Sequence, residues 1–154
     1  MRCIVVKDKL IESYYIQWER TRNRTVQMIK YASDELFKYT PEKQYSYIRQ
    51  VLHIMEWEIE MFQRAGFNYN HQLDETEVKS KHQLLDYTLK VTKTTKSYMD
   101  ELGDNILDLT IPIDNIDTPF YEVLLDLIDH ESHHRGQIVS YYRYFNMTPP
   151  HYEI

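Results

Sequence analysis

The stretch Asp126-Leu127-Ile128-Asp129-His130-Glu131-Ser132-His133-His134-Arg135-Gly136-Gln137-Ile138-Val139-Ser140-Tyr141-Tyr142-Arg143 carries three of the chain's seven histidines and one of its three glycines. Read as a helix, it stacks residues four apart on one face. His130 and His134 then point the same way, with Asp126 or Leu127, Gln137 and Tyr141 along the same stripe. Two imidazoles placed like this are half of a metal site. A facing helix has to supply the other half, so the stretch reads as one wall of a helical bundle.

Working outward from it, Thr118 and Pro119 read as the N-cap and first residue of this last helix, which ends near Asn146 ahead of Pro149 and Pro150. Residues 104–117 alternate apolar and polar positions around Pro112; with no partner strand elsewhere, they read as an extended crossover running from one end of the bundle to the other. A third helix spans residues 77–102, with Leu84, Val91 and Met99 on its buried side and Gly103 as its stop. Its threonines, Thr88, Thr92 and Thr95, read as close packing. Residues 67–76 are polar and read as a loop in which His71 is solvated, as is His82 beyond it. A second helix covers residues 46–64, burying Val51, Leu52, Met55, Ile59 and Phe62 ahead of Gly66. Residues 31–44 form a connection with one helical turn, because Pro41 disfavours helix at Thr40, and Leu36 and Phe37 cap one end of the core. The first helix covers residues 7–30, where Leu10, Ile11, Tyr14, Tyr15, Trp18, Val26 and Ile29 recur at the helical spacing. Arg22 interrupts that stripe and reads as a boundary residue rather than one aimed at an internal acid. The fold class is therefore all-α: a four-helix bundle, one domain over residues 1–154, with a long crossover before the last helix.

Composition narrows the function. The formal charge is -6 and the basic residues are scattered, which argues against nucleic acid or an anionic membrane as the main partner. Cys3 is the only cysteine, so no intrachain disulfide or cysteine-rich zinc knuckle can form, and a reducing cytoplasm is the expected setting. The apolar run from Ile4 to Val6 is too short for a signal-peptide core, and no later stretch approaches a membrane span. Fourteen tyrosines read as amphipathic residues of the core and of subunit contacts.

The histidine stripe carries the chemistry. Besides His130 and His134, only His53 sits in the middle of a long helix; taken alone it reads as a hydrogen-bonded core or boundary histidine. Three neutral imidazoles would leave the charge of a divalent ion intact and keep a fourth position open for water or substrate. Gly136 lies inside the helix, where glycine costs about 1 kcal/mol against alanine, so a close approach of a helix or ligand is expected there. Gln137 and Tyr141 continue the stripe as candidate supporting or substrate-orienting groups; ordinary packing is the competing reading. The order His130-Glu131-x-x-His134 also fits the zincin protease motif, with Glu131 as general base. Against that reading, Gly136 falls one place early for the extended motif, Ser140 stands where its third histidine belongs, and Glu153 is the only downstream glutamate.

With His53 in the second helix and the run from His130 to Ile138 in the last, the chain resembles the DinB-like superfamily of damage-inducible, YfiT-type metal-binding bundles. Trp18 and Arg22, the Leu52-His53-Ile54 centre and the closing Pro149-Pro150 add to the likeness, and Asp129 departs from it by standing where many relatives have asparagine. The resemblance implies an up-down-down-up bundle, often a homodimer, with a divalent ion such as zinc or nickel on His53, His130 and His134, and His133 off the metal face. Its characterised members include S-transferases that use bacillithiol, mycothiol or glutathione, and a mycothiol-dependent isomerase. The expected function is thus metal-dependent transfer of a low-molecular-weight thiol, bacillithiol first, to an electrophilic small molecule. The alternatives are a metal-dependent hydrolase, which Glu131 could assist, and a non-enzymatic metal-binding stress protein. Arg135 and Arg143 could each face a substrate carboxylate or solvent.

Overall fold

The computed structural model describes residues 2–151, with side chains from residue 9 onward. The side chains of Cys3 and of Ile4 to Val6, and the whole of Glu153, lie outside the described residues. The elements in order are α1 (Arg2–Tyr31), α2 (Asp34–Phe37), α3 (Tyr47–Arg64), α4 (Lys81–Leu102), β1 (Thr110–Ile113), β2 (Ile116–Pro119) and α5 (Phe120–Tyr144). Serine hydroxyls open three of the helices by accepting an otherwise orphaned backbone N–H: Ser33 from Leu36, Ser46 from Arg49 and Ser80 from Gln83. Gly66 at φ +95° and Gly103 at φ +48° carry the chain out of α3 and α4 through the left-handed region, where glycine has no Cβ to clash.

Side-chain pairings fix the helix directions. The hydroxyl of Tyr15 donates to the Met99 carbonyl and Arg22 meets Thr92, so α1 runs antiparallel to α4. Arg22 meets Glu131 and Met28 meets Tyr142, so α1 is parallel to α5. Glu58 with Thr95 and Phe62 with Tyr98 make α3 parallel to α4. Gln50 with Tyr141 and Phe62 with Phe120 make α3 antiparallel to α5. The four long helices are therefore up-down-down-up, and each of α1 and α3 packs between α4 and α5. Leu36, Val51, Leu52, Phe62, Leu84, Val91 and Ile138 lie fully buried between them. Tyr47 and Tyr142 are buried as well, and both donate to the Met28 carbonyl, which ties α3 and α5 to α1.

Parallel α3 and α4 require the chain to travel the bundle's length between them, and residues 65–80 do this by lying along α4. Phe67 stacks on Tyr98 at 4.3 Å between ring centroids, the buried Tyr69 donates to the Val91 carbonyl, and His71 Nε2 lies 3.1 Å from Thr94 Oγ1. This segment is irregular, as expected, but it is packed, and His71 is half-buried rather than solvated. A long connection does precede the last helix. Because α4 ends and α5 begins at the same end of the bundle, it crosses that end, against α1, α4 and α5, instead of running the bundle's length. It makes a 3₁₀ turn (Gly103–Leu107) and then a two-stranded hairpin pairing Thr110 with Pro119 and Ile113 with Ile116. The expected absence of a partner strand is thus corrected: the partner is the next segment, joined through Asp114 and Asn115, both at positive φ, as a tight hairpin turn demands. Thr118 belongs to β2 and caps nothing; α5 begins at Phe120, after Pro119.

Arg22 is not a boundary residue. It is 1% exposed and its guanidinium lies among acids from two other helices: Nη2 is 2.7 Å from Glu58 Oε2 and 3.1 Å from Glu131 Oε2, and Nε is 3.2 Å from both Glu131 oxygens. Burial alone would lower its pKa; Glu131 and Glu58 outweigh that and hold it above its ordinary value. The remaining lone pairs are occupied, by Trp18 Nε1 and the Thr95 hydroxyl on Glu58 and by the Thr25 hydroxyl on Glu131, while Arg22 Nη1 donates to Thr92. The threonines of α4 are therefore partners of a buried charge as well as packing residues. Removing the cation alone would strand two carboxylates, so Arg22→Met should cost about 3–5 kcal/mol in urea unfolding; an unchanged midpoint would contradict this account. The close approach of another helix expected at Gly136 is absent, since a Cβ there would meet no described protein atom within 4 Å. With no neighbour to accommodate, Gly136→Ala should stabilise the fold by about 0.5–1 kcal/mol in the same measurement.

Candidate metal centre

The antiparallel packing of α3 on α5 brings His53 against His130 and His134. One ring nitrogen from each lies within 4.8 Å of the others, and the two Nε2 atoms of α5 are 3.1 Å apart. Ring centroids of His53 stand 5.0 Å from His130 and 4.7 Å from His134, in edge-on contact. The i, i+4 spacing places the pair on one face of α5, as a helix must, and the facing helix completes the group. Tyr45 flanks it over His53 and His134, and Trp57 flanks it over His130 at 5.6 Å. A cavity of about 630 Å³ opens beside His134, lined by Glu42, Lys43, Gln44, Tyr45, Gln50, His133 and Gln137.

Electrostatics keep the imidazoles neutral. Burial, and then the neighbouring histidines, push His130 and His134 down to about 4; burial, then Arg49, also lowers His53, against the opposing pull of Glu56. At neutral pH each ring therefore keeps a lone pair for a ligand. Only a short step separates His134 from the protein interior: its Nδ1 is 2.6 Å from Gln50 Oε1, and Gln50 Nε2 is 2.9 Å from the Tyr141 hydroxyl.

The other sequence candidates fall in different places. Gln137 lines the cavity, whereas Tyr141 is buried behind Gln50 and has no hydrogen bond to a histidine. His133 is exposed at the cavity's rim, with its ring edge-on to His134 at 5.1 Å. Glu131 is turned inward, both oxygens engaged by Arg22 and Thr25, so the assisting or general-base role considered for it is replaced by a structural one. Arg135 points toward α1, donating to the Thr21 carbonyl and to Ser132, and Arg143 is exposed. Gln50 was missed by the sequence reading. It lies three residues before His53, on the same face of α3, and that spacing was the available signal.

Three neutral imidazoles converging from two facing helices beside an open cavity define a class: a helical-bundle protein with a candidate divalent-metal centre. The chain belongs to the DinB family, whose model matches residues 6–153. It is similar in structure to a DinB-like protein from Bacillus cereus ATCC 10987, 22% identical, at a TM-score of 0.78 over 91% of this chain and 95% of that one. It is also similar to a DinB-like protein, YjoA, from Bacillus subtilis, 21% identical, at a TM-score of 0.70 over 94% and 98% of the two chains. At these identities the likeness carries the bundle fold. No curated protein matches the sequence. Among the described residues, no helix is long and apolar enough to cross a membrane.

The depressed histidines also set a pH dependence. In the unfolded chain their pKa returns to about 6.5, so as the pH falls the unfolded state takes up protons first. The metal-free protein should lose stability from about pH 6.5 down to about 4, where folded His130 and His134 protonate too and the loss is complete. Urea midpoints across this window should fall more steeply for the wild type than for a His130→Gln, His134→Gln double variant; parallel curves would contradict the assignment.

Proposed function

We propose that His53, His130 and His134 hold a divalent metal ion, and that the protein is a metal-dependent thiol S-transferase that joins a bacillithiol-type thiol to electrophilic small molecules. The observation that carries the reading is the convergence of three neutral imidazoles, one of which, His134, lines an open cavity. A tetrahedral ion with nitrogens at about 2.0–2.1 Å sets neighbouring ligands about 3.3 Å apart, close to the 3.1 Å between His130 and His134. Among the described residues the group contains no carboxylate or thiolate to fill a fourth position or offset the ion's charge. A bound divalent ion supplies Lewis acidity, which keeps a coordinated thiol deprotonated at neutral pH.

The chain's own residues supply the setting. Tyr45 and Trp57 wall the histidines with aromatic surface, suited to shielding an apolar electrophile from water. Lys43, His133 and Gln137 line the mouth with polar groups that can hold the charged and amide parts of a thiol cofactor. The occupation of Glu131 by Arg22 and Thr25 weighs against a hydrolase that needs this residue as its base.

Metal content by mass spectrometry on untagged protein, wild type beside His134→Ala, tests the first half. One ion per chain is expected, lost in the variant. Titration of the cobalt-loaded protein with bacillithiol, glutathione and mycothiol tests the second half: a thiol-dependent change in the visible spectrum and faster conjugation of a model electrophile are expected. Metal without thiol binding would shift the reading to a hydrolase or a non-enzymatic metal protein, and no metal after reloading would remove the site altogether.

A further inference from the structure

We infer that Gln50 is a positioning residue for the histidine centre: it fixes His134 as the tautomer protonated at Nδ1 and so presents a bare Nε2 to the site. Its use in metal binding rests on the proposed function; the tautomer itself does not.

A buried chain of hydrogen bonds runs from the Tyr45 carbonyl to His134. The Tyr45 carbonyl can only accept. The Tyr141 hydroxyl lies 2.7 Å from that carbonyl and 3.2 Å from Gln44 Oε1. Its single proton goes to the nearer acceptor, Tyr45. The Tyr141 oxygen is then left to accept from Gln50, so the Gln50 atom 2.9 Å away is the amide nitrogen. The other end of the same amide is an oxygen, which cannot donate, and it lies 2.6 Å from His134 Nδ1. Nδ1 therefore carries the ring's proton and Nε2 carries the lone pair. Gln50 and Tyr141 are each 3% exposed and His134 is 9% exposed, so solvent cannot replace a partner cheaply. Flipping the amide would set its oxygen against the Tyr141 oxygen, whose only proton is committed to Tyr45.

Among the described residues, no such chain reaches the other two histidines. His130 is held by ring contacts with Trp57 and its histidine neighbours, and His53 Nδ1 is a distant 4.0 Å from Glu56 Oε2. With His134 Nε2 bare, the 3.1 Å contact between the two Nε2 atoms requires His130 to be the donor in the metal-free protein. The proton on His130 Nε2 must move to Nδ1 before that nitrogen can bind an ion, while His134 is already set. The asymmetry originates in one backbone carbonyl, that of Tyr45, just ahead of α3.

Long-range proton–nitrogen correlation spectra of histidine-labelled, metal-free protein test this directly. Wild-type His134 should show a protonated Nδ1 and a bare Nε2. Gln50→Leu should move the population toward Nε2–H and weaken zinc binding about 10–100-fold. Gln50→Glu retains an acceptor and should retain both the Nδ1–H signal and most of the affinity. Tyr141→Phe, which frees the amide to turn but leaves packing nearly unchanged, should give a mixture of tautomers and serves if Gln50→Leu does not fold. A wild-type His134 protonated at Nε2, or tautomer and zinc affinity both unmoved in Gln50→Leu and Tyr141→Phe, would overturn the inference. Failure of the wild type to bind zinc would sink the metal reading alone, because the tautomer is read without metal.

Discussion

Everything in this bundle is referred to the guanidinium of Arg22. It lies about two-thirds of the way along α1, and the carboxylates around it come from α3 and α5, with hydroxyls from α1 and α4 completing the shell. Apolar packing between helices tolerates small slides, because one aliphatic side chain substitutes fairly well for another. A buried ion cluster does not. A slip of one helical turn displaces a residue by about 5.4 Å, which would leave Glu58 or Glu131 charged, dry and unpaired, at a cost of several kcal/mol. The cluster therefore contributes register more than it contributes net stability.

That register is what the histidine centre needs. Glu131 follows His130 directly, and the turn of the helix between them sends one side chain into the charge cluster and the other to the cavity side. His53 and Glu58 divide the faces of α3 in the same manner. Locking Glu58 and Glu131 onto one cation thus sets the height at which His53 meets His130 and His134. The two clusters differ in how they tolerate low dielectric: the first by mutual pairing of full charges, the second by remaining uncharged until a cation arrives.

Helical periodicity was enough to place the four long helices and the i, i+4 pair, and the only mid-helix histidine elsewhere, His53, completed the group. The charge cluster was illegible for a definite reason. An arginine inside an apolar stripe looks like a stripe's edge unless its acids are visible, and these lie 36 and 109 residues away in sequence. Glu58 and Glu131 have the appearance of ordinary polar helix residues until α1 is laid against them. A long connection before the last helix was legible, but the end-to-end run was assigned to it because residues 65–80 and 103–119 are of similar length, and length does not say which one spans the bundle. The hairpin was hidden because Asp114 and Asn115 take left-handed conformations without the glycine that usually advertises them. The spacing of Gln50 from His53 marks its face of α3, but its role is legible only once Tyr141 is known to face it.

The neighbouring positions of α1 and α5 have a consequence for how the chain comes to be folded as it leaves the ribosome. α1 and α5 are adjacent and parallel, so the partner of Arg22 on α5 emerges 109 residues after it. Glu58 can meet Arg22 earlier, but that pair alone would be exposed on the open side where α5 belongs. Long-range closure of this kind is slow relative to local helix formation. The nascent bundle must therefore wait with an apolar trough open to passing chains until α5 emerges to fill it.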